Sequence, residues 1–466
     1  MAEKLHVSHS EKSSGTGLIT VAMLAAFITP FMGASVNVAL PVISREFTMN
    51  ASTMSWVAMS YILASAVFLV PFGKYSDITG RKKLFIAGMI IFAIGSLLCS
   101  VSQSAGMLIS SRVIQGIGSS MVFSTSMAIV VAAFAPEKRG RAIGLISASV
   151  YIGLSAAPVL GGLMTQFIGW RSIFVLTMML CLIVITIANR VIVEQHQNLT
   201  REKFDLSGSL LYLISMSLLM YGLSRITEAF AIIMTAIGVA GMVFFVIIEY
   251  RITSPVMNIK LIRHNRVFAF SNLAALINYA ATFAVSFILS LYLQYVKGLS
   301  PGEAGLVLLA QPLVMAIVTP FAGHLSDRIQ AGLLASLGMA ISASGLFALI
   351  FLHHDSGFAT IVVCLFVVGL GFGIFASPNT NSVMSSVEKP QYGVASAFLG
   401  TMRLTGQMLS MAIATLAIYL FIGKSPIKPE NIDKFMNSVQ IVFIIFSLLC
   451  FVGIFASLAR GKEKGK

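Results

Sequence analysis

Gly73-Lys74-Tyr75-Ser76-Asp77-Ile78-Thr79-Gly80-Arg81-Lys82-Lys83 ends one long apolar run and opens the next. Glycines let two helix ends approach closely. An aspartate followed by cations supplies a charge network that is made or broken as two bodies rock. Part of the run returns about 250 positions later as Gly323-His324-Leu325-Ser326-Asp327-Arg328. Gly140 and Gly153 are echoed at the same separation by Gly393 and Gly406. Counted in apolar runs, the shift is eight. A six-helix unit repeated at an eight-helix shift leaves two helices over, which gives the order six, two, six.

The runs themselves are long enough to cross a bilayer, which takes about 20 apolar residues. They fall near 18–40, 54–73, 84–102, 106–134, 142–165, 171–192, 207–226, 230–250, 268–296, 303–323, 331–352, 358–380, 392–421 and 437–459. The resulting plan is a polar tail (1–17), a six-helix bundle (18–192), two additional helices (207–250), a second six-helix bundle (268–459) and a short tail (460–466). The first run is long for a signal peptide and has no convincing cleavage site after it, so it reads as a retained span. The expected fold class is an all-α integral membrane protein of fourteen transmembrane helices.

Composition supports this. The chain has 466 residues, 57% hydrophobic and 10% charged, against roughly 25% charge in soluble domains. Its surface must therefore face lipid. The net charge of +14 does not point to nucleic acid, because the cations sit in short clusters between apolar runs: Arg81–Lys83, Lys138/Arg139/Arg141, Lys260/Arg263/Arg266 and Arg460–Lys466. Those clusters share one side of the membrane, and the positive-inside rule puts both termini in the cytoplasm of a cell membrane. Cys99, Cys181, Cys364 and Cys450 each lie alone in an apolar run and read as packing residues. No metal-ligand spacing occurs, and no metal or cofactor is expected.

The run at Gly73–Lys83 resembles the loop motif between the second and third helices of the major facilitator superfamily. Within it Gly73, Asp77, Gly80, Arg81 and Lys82 are the candidate gating residues. Gly144-x8-Gly153-x3-Ala157-Pro158-x2-Gly161-Gly162 resembles that family's antiporter motif, with alanine at one usual glycine. Its small residues flatten a helix face, and Pro158 removes a backbone donor. Arg112-x2-Gln115-Gly116-x-Gly118 is similar to the fourth-helix motif. Asn37-Val-Ala-Leu-Pro41, Gly169-Trp170-Arg171 and Gly298-Leu-Ser-Pro301-x2-Ala304-Gly305 extend the likeness along the chain. With fourteen spans, the resemblance is to the 14-helix drug:proton antiporter branch. It implies alternating access, a small-molecule substrate, protons as the coupling ion, a lipid bilayer as the only other partner, and a monomer.

One departure from that branch bears on coupling. Met32 stands where the branch often carries a first-helix aspartate, and Glu249, at a helix end, comes closest to an internal acid. A carboxylate in a low-dielectric cavity is the usual proton carrier. What the membrane does hold is Arg112 and Arg403. Arg403, followed by Gly406 and Gln407, is a candidate contact for an anionic substrate group. Asn278, Gln311, Tyr61, Tyr151 and Tyr279 are candidate cavity walls, although each would serve equally well in a helix–helix hydrogen bond.

Three functions compete: an exporter of amphipathic or drug-like compounds, a transporter or flippase for a defined and anionic metabolite or lipid, and a membrane enzyme. The last lacks any GxSxG, HExxH or His/Asp cluster at membrane depth. The run Gly369-Leu-Gly371-Phe-Gly373 reads as helix packing, and no P-loop supports ATP-driven transport.

Overall fold

A computed structural model of the chain describes residues 2–133, 136–192, 204–224, 229–252, 263, 265–326, 328–388, 392–423 and 425–461. Side chains are described from residue 17 onward, except at 51, 77, 127–128, 131–143, 224, 229 and 392–393. Among these residues there is no strand. The helices are α1 (Ala2–Glu46), α2 (Ala51–Thr79), α3 (Arg81–Ser100), α4 (Ala105–Ala133), α5 (Pro136–Phe167), α6 (Arg171–Val191), α7 (Leu206–Ser224) and α8 (Ala229–Arg251). The ninth span is broken into α9a (Arg266–Thr282), α9b (Val285–Leu291) and a π turn (Tyr292–Val296). The tenth divides into α10a (Pro301–Leu308) and α10b (Ala310–Ser326). Then come α11 (Ala331–Leu349), α12 (Phe358–Ser385), α13 (Tyr392–Ile422) and α14 (Ile432–Leu458).

Thirteen stretches among the described residues are long and apolar enough to span a membrane. The fourteenth span is α4, 29 residues long, whose side chains are described only in part. It packs against α3 and α2. Lipid-facing character is uneven. Only 17% of the most apolar window of α8 is buried, against 72% for α2, so α8 lies at the periphery and α2 near the middle.

The packing reproduces the repeat. In the first bundle α3 packs on α4, α1 on α5, α2 on α4, α3 on α6 and α1 on α6. Adding eight to every label gives α11 on α12, α9a on α13, α10b on α12, α11 on α14 and α9a on α14, all of which occur. The glycines at the crossings correspond too. A Cβ on Gly118 would lie 2.7 Å from the Gly88 carbonyl oxygen, and one on Gly371 2.5 Å from that of Gly338. A Cβ on Gly153 would lie 2.6 Å from the Phe27 oxygen, and one on Gly406 2.5 Å from that of Leu276. These are backbone-to-backbone contacts that only glycine permits. The chain therefore folds as two six-helix bundles, with α7 and α8 packed on each other and α7 touching α2 and α13 at one seam.

Three local features differ from the sequence expectation. The polar stretch expected as a tail over 1–17 continues the helical backbone of α1. The ninth span breaks after Thr282, where the Ala284 amide takes the Ser410 hydroxyl oxygen of α13 at 3.0 Å, so that tertiary contact satisfies a donor the helix has released. The tenth span breaks at Leu309. Pro312 lacks an amide hydrogen there, and its ring crowds the Leu308 carbonyl.

Candidate functional site

The start of α1 and the end of α14 lie at the same end of the helices, called the terminal end, and the other end is called distal here. At the distal end the two bundles meet backbone to backbone. α5 uses two faces. Gly153 and Gly161 press on α1, at Phe27 and Ser35, while Gly162 presses on α10a, where its Cβ would fall 2.3 Å from the Pro301 oxygen. A Cβ on Gly305 would fall 2.1 Å from the Pro158 oxygen. The Gly302 amide donates to Gln166 Oε1 at 3.2 Å. Beside this crossing, Ser290 Oγ donates to the Asn37 carbonyl at 3.0 Å and Gln294 Nε2 to the Val38 carbonyl at 2.9 Å. The distal end is shut. Gly144, the first glycine of the same α5 motif, is exposed and has nothing among the described residues within 4 Å of its would-be Cβ.

In the first bundle Arg112 is fully buried. Its Nε donates to the Val57 carbonyl at 3.1 Å, and Nη1 donates to Gln115 Oε1. The guanidinium carbon lies 4.3 Å from the Tyr61 ring centroid. Gln115 Nε2 passes the chain on to Ser96 Oγ at 2.7 Å. Tyr61 shares a hydrogen bond of 2.9 Å with Ser119 and donates to the Thr29 carbonyl at 3.2 Å. Gly116 lets α4 sit against the Tyr61 carbonyl, its Cβ position 2.5 Å away. This network ties α1, α2, α3 and α4 together without any carboxylate. Tyr61, read from the sequence as a cavity wall, is committed to it.

In the second bundle the arrangement is looser. Arg403 is half-buried; Nη2 donates to Thr380 Oγ1 at 2.7 Å, and the guanidinium carbon stands 5.7 Å from the Tyr279 ring centroid. Tyr279 meets Phe372 edge-on at 5.2 Å. Tyr151 of α5, with Leu154 and Tyr279, packs on the Met315–Phe372–Ala376 cluster, so this group straddles the two bundles. Several buried polar atoms here have no partner among the described residues: Arg403 Nε, both amide atoms of Asn278, Gln311 Oε1 and Asn379 Oδ1. Gln407, one turn beyond Arg403, is half-buried. Buried polar groups are normally satisfied, and a polar guest or water would satisfy these.

At the terminal end, Gly80 alone links α2 to α3, with φ 106° and ψ 129°, a conformation that belongs to glycine. Lys82 Nζ donates to the Asn189 carbonyl at 3.3 Å and so caps the end of α6 within its own bundle. Gly73 has none of the described residues within 4 Å of its would-be Cβ. The side chain of Asp77 lies outside the described residues, as does Asp327. Met32 is fully buried, with the Thr177 hydroxyl 3.3 Å from its sulfur. Glu249 is the one fully buried carboxylate among the described residues. It sits between α7 and α8, where a Cβ on Gly208 would approach both Glu249 Oε1 (2.7 Å) and Asp205 Oδ2 (2.3 Å).

Phe372, Thr380, Gln166, Ser290 and Gln294 all contribute and were not singled out from sequence. Two six-helix bundles of the same sense, with a shut distal end and a half-buried polar group between them, make a transporter architecture. The chain matches the Major Facilitator Superfamily over residues 22–250 and 271–466, and it belongs to that family. It is a transporter and not an enzyme. It is 30% identical over 444 residues to the riboflavin transporter RibZ of Clostridioides difficile (strain 630), covering 94% of this chain and 95% of that one. It is 33% identical over 384 residues to the multidrug resistance protein Stp of Mycobacterium tuberculosis (strain ATCC 25618 / H37Rv), covering 81% and 71%. The crystal structure of the human organic anion transporter MFSD10 (TETRAN) superposes with a TM-score of 0.64 at 14% identity, over 96% of this chain and 99% of that one, a likeness of fold.

Proposed function

We propose that this protein is a proton-driven secondary exporter of amphipathic, drug-like small molecules, working by alternating access. The observation that carries this is the group between the bundles. Tyr151, Tyr279, Phe372 and Met315 offer a soft aromatic and thioether wall, with a few unpartnered polar atoms to orient a guest. The drug-resistance naming of relatives such as Stp supports the same reading. Residues 18–192 and 268–459 rock as two bodies, with 207–250 riding at the α2–α13 seam. Asp77 and Arg81 latch the terminal end, and that end faces the cytoplasm of a cell membrane. The protein works as a monomer. Met32 cannot carry a proton, so the coupling group lies elsewhere than in the first helix.

The test is flux in proteoliposomes against a panel of cationic and anionic amphipaths, first with a pH gradient and then with a sodium gradient. Uptake that follows the pH gradient is expected. Flux indifferent to both gradients would reject the exporter reading.

A second reading, transport of a specific anionic metabolite, is favoured by Arg403, whose Nε is unpartnered beside two tyrosines. A relative named for riboflavin transport fits a planar guest on such a wall. Under this reading Arg403→Gln lowers flux of anionic panel members about tenfold, the scale of one charged contact, and leaves neutral ones unchanged. Equal effects on both groups would assign Arg403 to helix packing.

A further inference from the structure

A cavity of about 410 Å³ opens at the distal end, away from the Tyr151–Arg403 group. That volume lies within the usual range for small-molecule sites. Its walls come from both bundles. Arg45 and Met49 lie at the end of α1, Gln294 and Tyr295 on the π turn, and Ile427 and Lys428 in the connection between α13 and α14. The lining carries two cations and no carboxylate. Of the flanking acids, Glu46 is turned to Arg171 at 2.7 Å and to Trp170 Nε1 at 2.7 Å, Asp433 lies 3.2 Å from His354, and Glu430, beside the lining residue Pro429, is exposed. Among the described residues Arg45 and Lys428 form no ion pair. Arg45 instead crosses the bundle boundary to lie 5.4 Å from the Tyr295 ring centroid.

Two backbone irregularities converge on this cavity. Thr48, on its lining, has φ 48° and is the one non-glycine residue with positive φ among the described residues. A β-branched side chain there is strained. The ninth span ends in the π turn Tyr292–Val296, and such turns collect at functional sites. Gln294 of that turn both lines the cavity and makes the inter-bundle bond to Val38. The cavity therefore exists only while the distal end is shut.

We propose that this cavity is a second binding site, for a small amphipathic organic anion, and that its occupant holds the distal end closed. An anion placed between Arg45 of the first bundle and Lys428 of the second loses one of its two cations when the bundles part. Affinity is therefore higher in the closed state, which is the condition for shifting the equilibrium. The apolar wall of Met49, Ile427 and Tyr295 selects anions with a hydrophobic body over inorganic ones. The closing effect rests on the alternating-access reading above, whereas the binding does not.

The test uses the full chain in detergent, with naphthalene-2-sulfonate as probe. Binding is read by calorimetry, and opening by the distance between spin labels at Ile168→Cys and Phe358→Cys. Both sites are exposed at the distal end, and the four native cysteines are buried. Saturating probe is expected to shift the distances to the short, closed population. Arg45→Gln and Lys428→Gln should each weaken binding about tenfold. Unchanged affinity in the Arg45/Lys428 double variant overturns the site. A population that opens with a transported compound but does not close with the probe overturns the closing role. A distance fixed under every ligand and pH, with probe binding still dependent on Arg45 and Lys428, would instead reject alternating access and leave the site standing.

Discussion

Replacing Gly305 with alanine is expected to reduce transport by one to two orders of magnitude, with Gly162→Ala close behind and Gly144→Ala near wild type. The new Cβ at Gly305 would sit 2.1 Å from the Pro158 oxygen and 2.8 Å from its carbonyl carbon, and at Gly162 2.3 Å from the Pro301 oxygen. These neighbours are backbone, so no rotamer change relieves the contact. The helices must separate by roughly 1 Å, and overpacking of this kind costs about 1–3 kcal/mol. Under the alternating access proposed above, that cost falls on the distal-closed state alone, because parting the bundles there separates α5 from α10a. A penalty of about 2–3 kcal/mol on one state of a two-state cycle shifts its population by roughly 30- to 150-fold. Gly144 belongs to the same sequence motif but meets none of the described residues, so it serves as the internal control. The measurement is initial-rate flux normalised to protein in the membrane, with distal spin-label distances alongside. A Gly305→Ala variant with normal flux would show that this crossing does not form in the working cycle.

The contrast between Gly144 and Gly305 shows what a sequence can reveal about such a protein. The repeat was legible because helix crossings demand glycine at fixed depths, and such a glycine recurs about 250 positions on, as Gly153 does in Gly406. The fourteen spans were legible because hydropathy is local. The cross-bundle bonds were not. Ser290 and Gln294 donate to the carbonyls of Asn37 and Val38, and a backbone acceptor has no residue identity to announce it. The break in α9 was hidden for a related reason, since the hydroxyl that stabilises it comes from Ser410, 126 positions away.

Polar residues at membrane depth were the hardest to sort. Tyr61 and Tyr151 look alike in sequence. One is locked to Thr29 and Ser119 inside the first bundle, and the other faces Met315 and Phe372 across the bundle boundary. The two arginines divide in the same way. Arg403 stands at the bundle boundary beside Tyr279 with Nε unpartnered, while Arg112 is held inside one bundle through Nε and Nη1, its Nη2 also lacking a partner among the described residues. A rocking mechanism needs both kinds of group, because a bundle that deforms cannot transmit motion to a gate.

Arg112 accordingly carries the second large expectation, on stability. Arg112→Lys is expected to destabilise the protein by about 2–4 kcal/mol, because an ammonium cannot reach Val57 and Gln115 together or lie flat on Tyr61. A charge in the membrane that loses its acceptors is worse than no charge, since the desolvation cost remains while its compensation is gone. Gln115→Leu should therefore also destabilise. It leaves the buried guanidinium with the Val57 carbonyl and the Tyr61 face alone, and it strips Ser96 Oγ of a donor. Arg112→Met, which keeps much of the side-chain volume and removes the charge, should be milder than either. The order of thermal unfolding midpoints in detergent is then wild type, Arg112→Met, and lowest the Lys and Leu variants. The Arg112→Met/Gln115→Leu pair should lose less than the sum of its singles, because the second substitution no longer orphans a cation. Wild-type stability in Arg112→Lys, or additive losses in the pair, would mean that the cation is not held by this network and that its role lies with substrate instead.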